Sequence, residues 1–203
     1  MRMIQTALGV AALIISTVAG AQTFQVDPAH STLQWKGSKV IGDSHTGNIA
    51  IKSGEIAYGK EGPTSAVIVV DMKTINNTDL KDAEYNKKLV THLKSDDFFS
   101  VEKHPEAKLT IKKFTKVGKE EFKLEGDLSI KGIVKPIAFN AKVQQEKQDI
   151  TKITADLEFD RTEFDVRYGS GKFFQGLGDK VIADKIEVKV ELKGKPTSNL
   201  GRI

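Results

Sequence analysis

The chain has 203 residues, of which 29% are charged and 39% hydrophobic, and its formal net charge is +4. The length is typical of one domain and leaves little room for two. The absence of cysteine excludes a disulfide-stabilised fold, a thiolate metal site, a cysteine nucleophile and lipid attachment through an N-terminal cysteine. The 31 basic and 27 acidic residues are mixed along the whole chain, which argues against a nucleic-acid-binding face.

The N-terminal segment has the features of a secretory signal peptide. Arg2 is the only charged residue before Asp27, an apolar run covers residues 7–18, and residues 19–21 (Ala-Gly-Ala) form a signal peptidase site. The apolar run is shorter than the roughly 20 residues that a membrane-spanning helix needs. We therefore expect cleavage after Ala21, export to the periplasm and no membrane span in the mature chain.

Most of the remaining sequence alternates between apolar and polar residues, which is the pattern of β-strands with one buried face. Short strands are predicted first, at 32–36, 47–51, 55–58 and 66–72. Residues 66–70 are apolar on both faces, so we expect them to be covered on both sides or to lie beneath a helix. Clearer alternation follows at 108–112, 122–125, 137–144, 153–159 and 186–193.

One segment between these strands has helical periodicity. Apolar residues recur on one stripe between Leu80 and Leu93, and Thr78 is placed to cap the start of a helix. The spacing predicts a single α-helix over about 79–94. About eight strands with mostly short connections and one helix predict an all-β fold, as an antiparallel barrel or a sandwich.

Alternation does not say which face of each strand is buried. An outer-membrane barrel would be apolar outside and polar within. The predicted strands carry many Lys and Glu residues, however, and 1 Trp with 3 Tyr cannot build two aromatic girdles. The sequence favours a soluble barrel with apolar side chains inside, where about eight strands leave room for side chains or for one small ligand.

The polar residues form no recognisable catalytic or metal-binding motif. The four histidines, at 30, 45, 92 and 104, lack metal-ligand spacing, and His30-Ser31 lacks the context of an activated nucleophile. Asp96-Asp97 follows the predicted helix and is better explained as a turn than as paired catalytic carboxylates. We expect a protein that is not an enzyme and uses no cofactor or metal, and an enzyme is the least favoured alternative.

A glycine-rich stretch lies between the last two predicted strands. Gly169-Ser-Gly171-Lys172 superficially matches a phosphate-binding loop, but Val166 and Phe173 occupy positions where that motif requires Gly and Ser or Thr. We interpret the stretch as a long, mobile hairpin loop. The adjacent Phe173 and Phe174 are unusual in a solvated loop, and two roles stay open: a plug in the end of the barrel, or an apolar lip for a ligand.

Four motifs occur along the chain in a fixed order. They are Val26-Asp-Pro-Ala-His-Ser31, His92-Leu-Lys-Ser-Asp-Asp-Phe-Phe99 with Lys103-His-Pro105, Gly126-Asp-Leu-Ser-Ile-Lys-Gly132 with Lys135-Pro136, and Phe159-Asp-Arg-Thr-Glu-Phe-Asp-Val166. Together they resemble the YceI-like family of polyisoprenoid-binding, lipocalin-like proteins, over about residues 24–193. The resemblance implies a single antiparallel lipocalin-like β-barrel of about eight strands with a helix near one end.

The resemblance also implies an apolar tunnel that holds a polyprenyl chain or a similar amphiphile, such as a quinone or a fatty-acid derivative. The inward-facing residues are then the candidate ligand contacts, although each is equally well explained as core. They are Trp35, Leu109, Ile111, Phe122, Leu124, Phe139, Val143, Ile153, Leu157, Phe159, Val188 and Val190, with Phe173 and Phe174 from the loop. The candidate head-group contacts are Arg161, Arg167 and Lys172.

The segment 36–47 departs from the family, in which many members carry an H-x-G-F-like strand there. It is polar and rich in glycine, so the pocket is expected to be narrower or to take a more polar ligand. The expected function is a periplasmic carrier of an isoprenoid-like or other amphipathic lipid. The alternative is a stress-associated or partner-binding protein that uses the barrel as a scaffold. A homodimer stays open, and residues 194–203 are expected to form a frayed tail.

Overall fold

A computed structural model describes residues 22–59, 62–145 and 151–197. The predicted signal peptide, residues 1–21, lies outside the described residues. The strands are β1 (Gln22–Val26), β2 (Thr32–Lys39), β3 (Ser44–Asn48), β4 (Ala50–Gly59), β5 (Gly62–Asp71), β6 (Glu106–Lys116), β7 (Glu121–Ile130), β8 (Ile133–Gln145), β9 (Thr151–Asp160) and β10 (Ile182–Thr197). The helix α1 (Ala83–Lys94) lies between β5 and β6.

The strands close into an antiparallel barrel of 8 strands. From β4 to β10 each strand pairs with the next in the chain, and β1 closes the circle by pairing with both β4 and β10. Because β10 is long, its first part pairs with β2 while its last residues pair with β1, and β3 continues the sheet beyond β2. The predicted all-β barrel with one helix is confirmed.

The inner wall of the barrel follows from the alternation. In β10, Val188 lies between Trp35 of β2 and Leu157 of β9, and directly opposite residues of an antiparallel pair share a face. All three side chains are buried. The neighbouring polar residues Lys189 and Glu187 lie on the opposite, outer face, so each strand contributes one of its two faces to the core.

The helix begins later than predicted. Its N-cap is Asp82, whose carboxylate accepts hydrogen bonds from the backbone amides of Glu84 and Tyr85 at 2.9 and 3.0 Å. The chain just before it runs beside β3, because the amides of Asn76 and Thr78 donate to backbone carbonyls of that strand. The predicted start at residue 79 is therefore wrong, since the backbone there finds its partners in the sheet.

Two further expectations differ from the structure. The apolar run of β5 is not covered on both sides, because Val67 points outward and is 41% exposed. Residues 194–197, expected in a frayed tail, form the end of β10 and pair with β1. The rest of that expected tail, 198–203, lies outside the described residues.

The helix and the loop 161–181 meet at one end of the barrel, which we call the helix end. The His92 ring of α1 packs edge-on against Tyr168 and Phe98, with ring centroids 4.5 and 4.9 Å apart. Val166 and Ser170 of the loop are completely buried. The first part of the stretch predicted as a mobile hairpin loop, up to Ser170, is therefore packed into the fold, whereas residues 171–176 are exposed. Within the described residues, no helix has the length and hydropathy of a membrane-spanning segment.

Candidate functional site

An apolar cavity of about 140 Å³ lies inside the barrel. Side chains from β2 and from β4 to β10 form its wall, and Met72 and Phe99 reach it at the helix end. Apart from Lys108, every residue that lines the cavity is apolar. A cavity with such a wall offers no hydrogen-bond partners to water and favours hydrocarbon.

Most of the predicted tunnel residues line this cavity. They are Trp35, Leu109, Ile111, Leu124, Phe139, Ile153, Leu157, Phe159, Val188 and Val190. Phe122 and Val143 belong to the same core but lie outside the cavity wall. The alternation thus located the inward faces of the strands, and contact of these residues with a ligand stays a prediction.

The wall residues of β4 and of the helix end are not evident from the sequence pattern. Ile51 and Ile56 line the cavity, but the pairing of β4 with β5 shifts register between Ile51 and Ser53 and again near Ala57. Such a β-bulge breaks the period of two on which the prediction rests. Phe99 sits in the turn after α1, where no periodicity marks the inward side.

The cavity is small for a lipid-binding site. Pockets for drug-sized ligands have about 300–1,000 Å³, whereas an apolar cavity of about 150 Å³ holds one benzene-sized molecule. At about 140 Å³, the interior admits a group of the size of one ring. A longer chain requires interior side chains to move apart, or it extends out of the cavity.

Phe173 and Phe174 lie outside the cavity. Their side chains are 46% and 48% exposed, and the Arg167 guanidinium sits 4.8 Å from the centre of the Phe173 ring. The plug, one of the two roles left open for these rings, is not observed, because both rings are half-exposed and the buried apolar side chains of the loop are Phe164 and Val166. Their role as an apolar lip stays a prediction.

Arg161 is buried at the start of the same loop. Its guanidinium donates hydrogen bonds to the backbone carbonyls of Val166, Ala183 and Ile182 at 2.7, 3.0 and 3.1 Å, and lies 3.6 Å from the Asp184 carboxylate. Burial lowers the pKa of Arg161, against the opposing charge of Asp184. The structure therefore places Arg161 as an anchor of the loop and away from the surface, where a head group would sit.

The other two predicted head-group cations are on the surface and already paired. Arg167 contacts Asp165 at 2.9 Å, and Lys172 contacts Asp160 and Asp184 at 2.6 and 3.2 Å. Hydrogen bonds to those two carboxylates raise the pKa of Lys172. Neither cation lines the cavity.

The motif at 26–31 fixes the bend between β1 and β2. Asp27 accepts hydrogen bonds from the Ala29 amide at 3.0 Å and from the His30 ring at 2.7 Å. The Ser31 hydroxyl donates to the Asp27 carbonyl and accepts from the Lys193 amide, at 2.7 and 3.0 Å. The polar side chains of this motif thus connect β1 and β2 to β10. Across the described residues, no three His, Asp or Glu side chains are grouped to hold a metal ion.

Comparison with known sequences gives one family. The sequence model of the YceI-like domain matches residues 24–194. UPF0312 proteins are similar: that of Photorhabdus laumondii is 35% identical over 96 residues, 47% of each chain. That of Shewanella denitrificans is 28% identical over 68% of this chain and 71% of its own, and one of Pseudomonas putida is 30% identical over 70% and 72%. The match to the first of these spans about half of that relative's length.

Solved structures share the fold. BcnA of Burkholderia cenocepacia superposes with a TM-score of 0.65 at 22% identity, over 83% of this chain and 98% of its own. A polyisoprenoid binding domain from Saccharophagus degradans, implicated in plant cell wall breakdown, has a TM-score of 0.64 at 15% identity, over 86% and 98%. The YCEI protein of Campylobacter jejuni has a TM-score of 0.53 at 18% identity, over 95% and 93%.

Proposed function

The chain belongs to the YceI-like family, and from this premise we propose that it binds an amphipathic lipid whose apolar part occupies the barrel cavity. The observation that carries the proposal is the cavity wall, which is apolar except for Lys108. The Saccharophagus degradans domain of the same fold is described as polyisoprenoid-binding, which supports an isoprenoid-like ligand. A quinone or a fatty-acid derivative offers the same apolar chain and polar head.

The affinity of such a ligand would come from many non-directional contacts. Each methylene group that leaves water for the apolar wall contributes about 0.8 kcal/mol. The wall offers no hydrogen bonds that would distinguish one hydrocarbon chain from another. We therefore expect selectivity for chain shape and width, with the narrow cavity of about 140 Å³ favouring a slender end of the ligand.

We propose that the protein acts in the periplasm as a carrier and catalyses no reaction. The sequence of residues 1–21, with its apolar run and small residues before Gln22, supports export by a signal peptide. The absence of catalysis is supported by the contacts of the polar motif residues. The Ser31 hydroxyl, for example, is engaged by two backbone groups, so it is not presented to a substrate.

A partner-binding scaffold is the second candidate function. The observation that favours it is the pair Phe173 and Phe174, two half-exposed rings outside the cavity. Exposed aromatic side chains are enriched where proteins contact one another. This function would be favoured if lipid-free wild-type protein binds a partner protein and the Phe173→Ala/Phe174→Ala double variant does not.

The carrier function is tested by native mass spectrometry of the protein purified from the periplasm of its own cells. We expect a population heavier than the mature polypeptide by the mass of a lipid, which disappears when the protein is denatured. The extracted lipid is then identified by its own mass. A single population at the polypeptide mass, from freshly purified protein, would contradict the carrier function.

A further inference from the structure

Strands β8 and β9 are paired over only part of their length. The ladder between them starts at the pair Ala141–Ala155 and runs away from the helix end. Residues 133–140 of β8 and 156–160 of β9, all of them described, therefore face each other without a ladder. By contrast, β8 is paired with β7 from its first residue, and β9 with β10 over its whole length. We call this opening in the wall the β8–β9 gap.

The sequence accounts for the β8–β9 gap. Pro136 has no backbone N–H to donate to a neighbouring strand, which is why proline is typical of strand edges. Residues 133–140 alternate between half-buried and exposed, and none of them is buried. At the helix end the gap is bordered by the Lys131 ammonium, which donates to the Asp165 carbonyl at 2.8 Å.

The β8–β9 gap lies beside the cavity. Phe139 on β8 and Leu157 and Phe159 on β9 flank it, and all three line the cavity wall. The outward side chains next to it on β8 are also apolar, since Val134, Pro136 and Ala138 are exposed. A hydrocarbon chain that passes through the gap therefore meets apolar surface on both faces of β8.

Lys135 is a cation on the inner face of the barrel at this gap. It lies directly opposite Leu128 in the β7–β8 ladder, and because Leu128 lines the cavity, the two side chains share the inner face. Lys135 is half-buried. Over the described residues its ammonium has no ion pair or hydrogen bond, whereas the outward Lys142 on the same strand lies 3.8 Å from Glu121.

We propose that the β8–β9 gap is a side entrance to the cavity and that Lys135 binds there the anionic head group of an amphiphile. The side chain of Lys135 is half-buried on an otherwise apolar face, and a phosphate or carboxylate there supplies the counter-charge that its ammonium lacks among the described residues. The inference rests on the proposed function and deepens it. It also explains how a small cavity can serve a long ligand, because only the apolar end of the chain enters the cavity while the head group stays at the gap.

The head-group contact is tested with three probes: farnesol, farnesyl phosphate and dodecanoate. We expect Lys135→Gln to weaken the binding of farnesyl phosphate about tenfold, since it removes one charge-assisted contact. The affinity for farnesol should change less than about twofold. Lys135→Arg should keep the affinity for farnesyl phosphate. Lys142→Gln, which removes the same charge from the outer face of β8, is the matched control and should leave both affinities unchanged.

Each outcome of this titration decides a separate point. If Lys135→Gln loses affinity for dodecanoate as much as for farnesyl phosphate, Lys135 binds any anionic head group. If it loses affinity for farnesyl phosphate alone, Lys135 binds a phosphate. Unchanged affinity of Lys135→Gln for both anions, or an equal loss for farnesol, overturns the inference. If none of the three probes binds the wild-type protein, the proposed function itself fails.

The entrance is tested by closing the gap with a cross-link. The chain has no cysteine of its own, so Ala138→Cys with Glu158→Cys provides one thiol on each side for a bis-maleimide. The control pair, Lys142→Cys with Thr154→Cys, spans strands that are already joined in the ladder. We expect the first cross-link to slow dissociation of farnesyl phosphate about tenfold, as a closed gate does, and the second to leave it unchanged. Equal effects of both cross-links overturn the entrance.

Discussion

Trp35 lies directly opposite Gly47 in the β2–β3 ladder, and its indole ring occupies the space that a side chain at Gly47 would need. The indole N–H donates to the Asn76 carbonyl at 3.1 Å. A Cβ at Gly47 would lie 2.7 Å from the ring and 1.8 Å from that carbonyl oxygen. The glycine at the end of the unusual segment 36–47 thus lets Trp35 face the cavity.

Gly47→Ala is therefore expected to destabilise the protein by about 2–3 kcal/mol, because the methyl group overpacks a site closed by backbone. Urea denaturation measures the change in the free energy of unfolding. Gly37→Ala is the matched control on the same hairpin, since its Cβ would meet side-chain atoms only at 3.5 Å or more. Equal stabilities of the two variants would contradict the packing described for Trp35.

Arg161→Met is expected to lower the free energy of unfolding by about 3 kcal/mol. The substitution leaves three backbone carbonyls without their donor and removes a charge partner of Asp184 in a buried setting. Arg167→Met removes an exposed cation of the same loop and should cost less than about 1 kcal/mol. Thermal or urea unfolding of both variants gives the comparison. A small effect at Arg161 combined with weaker lipid binding would instead indicate a head-group contact.

The carboxyl group of Asp79 is expected to make the stability of the protein depend on pH. Burial raises the pKa of Asp79, but hydrogen bonds from the Thr46 amide, the His45 ring and the Asn77 amide outweigh it and hold the pKa below its ordinary value of 3.8. A carboxyl group with a lowered pKa stabilises the fold above its ordinary pKa, and this contribution is lost as the pH falls through the folded-state pKa.

Asp79→Asn should therefore destabilise the protein at about pH 6 and have a smaller effect at about pH 3, where the wild-type contribution is being lost. Urea denaturation at both pH values measures the two differences. Glu163→Gln, at an exposed position of the loop, serves as the control and should show no such change. The same penalty for Asp79→Asn at both pH values would contradict the account of its hydrogen bonds.

The alternation in the sequence was sufficient to predict the strands and the inward faces, but not the features that depend on distant backbone. Arg161 is buried because carbonyls of Ala183 and Ile182, more than twenty residues away, accept its hydrogen bonds. The volume of the cavity depends on how side chains from opposite strands pack against each other, and the alternation of residues along one strand does not predict this. The helix start depends in the same way on the partners that the backbone amides of Asn76 and Thr78 find on β3.

The inward position of Lys135 can be predicted from the sequence. The alternation that begins at Ile137 continues backward to Ile133, and Lys135 is then a charge at an inward position. A charged residue inside a run of apolar positions is a signal for a binding site or an edge, because burial without a partner is costly. The incomplete β8–β9 ladder, which makes the position accessible, could not be predicted from the sequence.

The central claim, that the barrel cavity holds the apolar part of the ligand, is tested most directly by calorimetric titration with farnesol. Ala155→Phe places a ring in the cavity that Ala155 lines, and Val67→Phe adds the same ring to the outer face of β5, away from the β8–β9 gap. We predict saturable binding to the wild-type protein and to Val67→Phe, and binding at least about tenfold weaker to Ala155→Phe, because the cavity holds only about one ring. No saturable binding to the wild-type protein, or equal binding to Ala155→Phe, would contradict the claim.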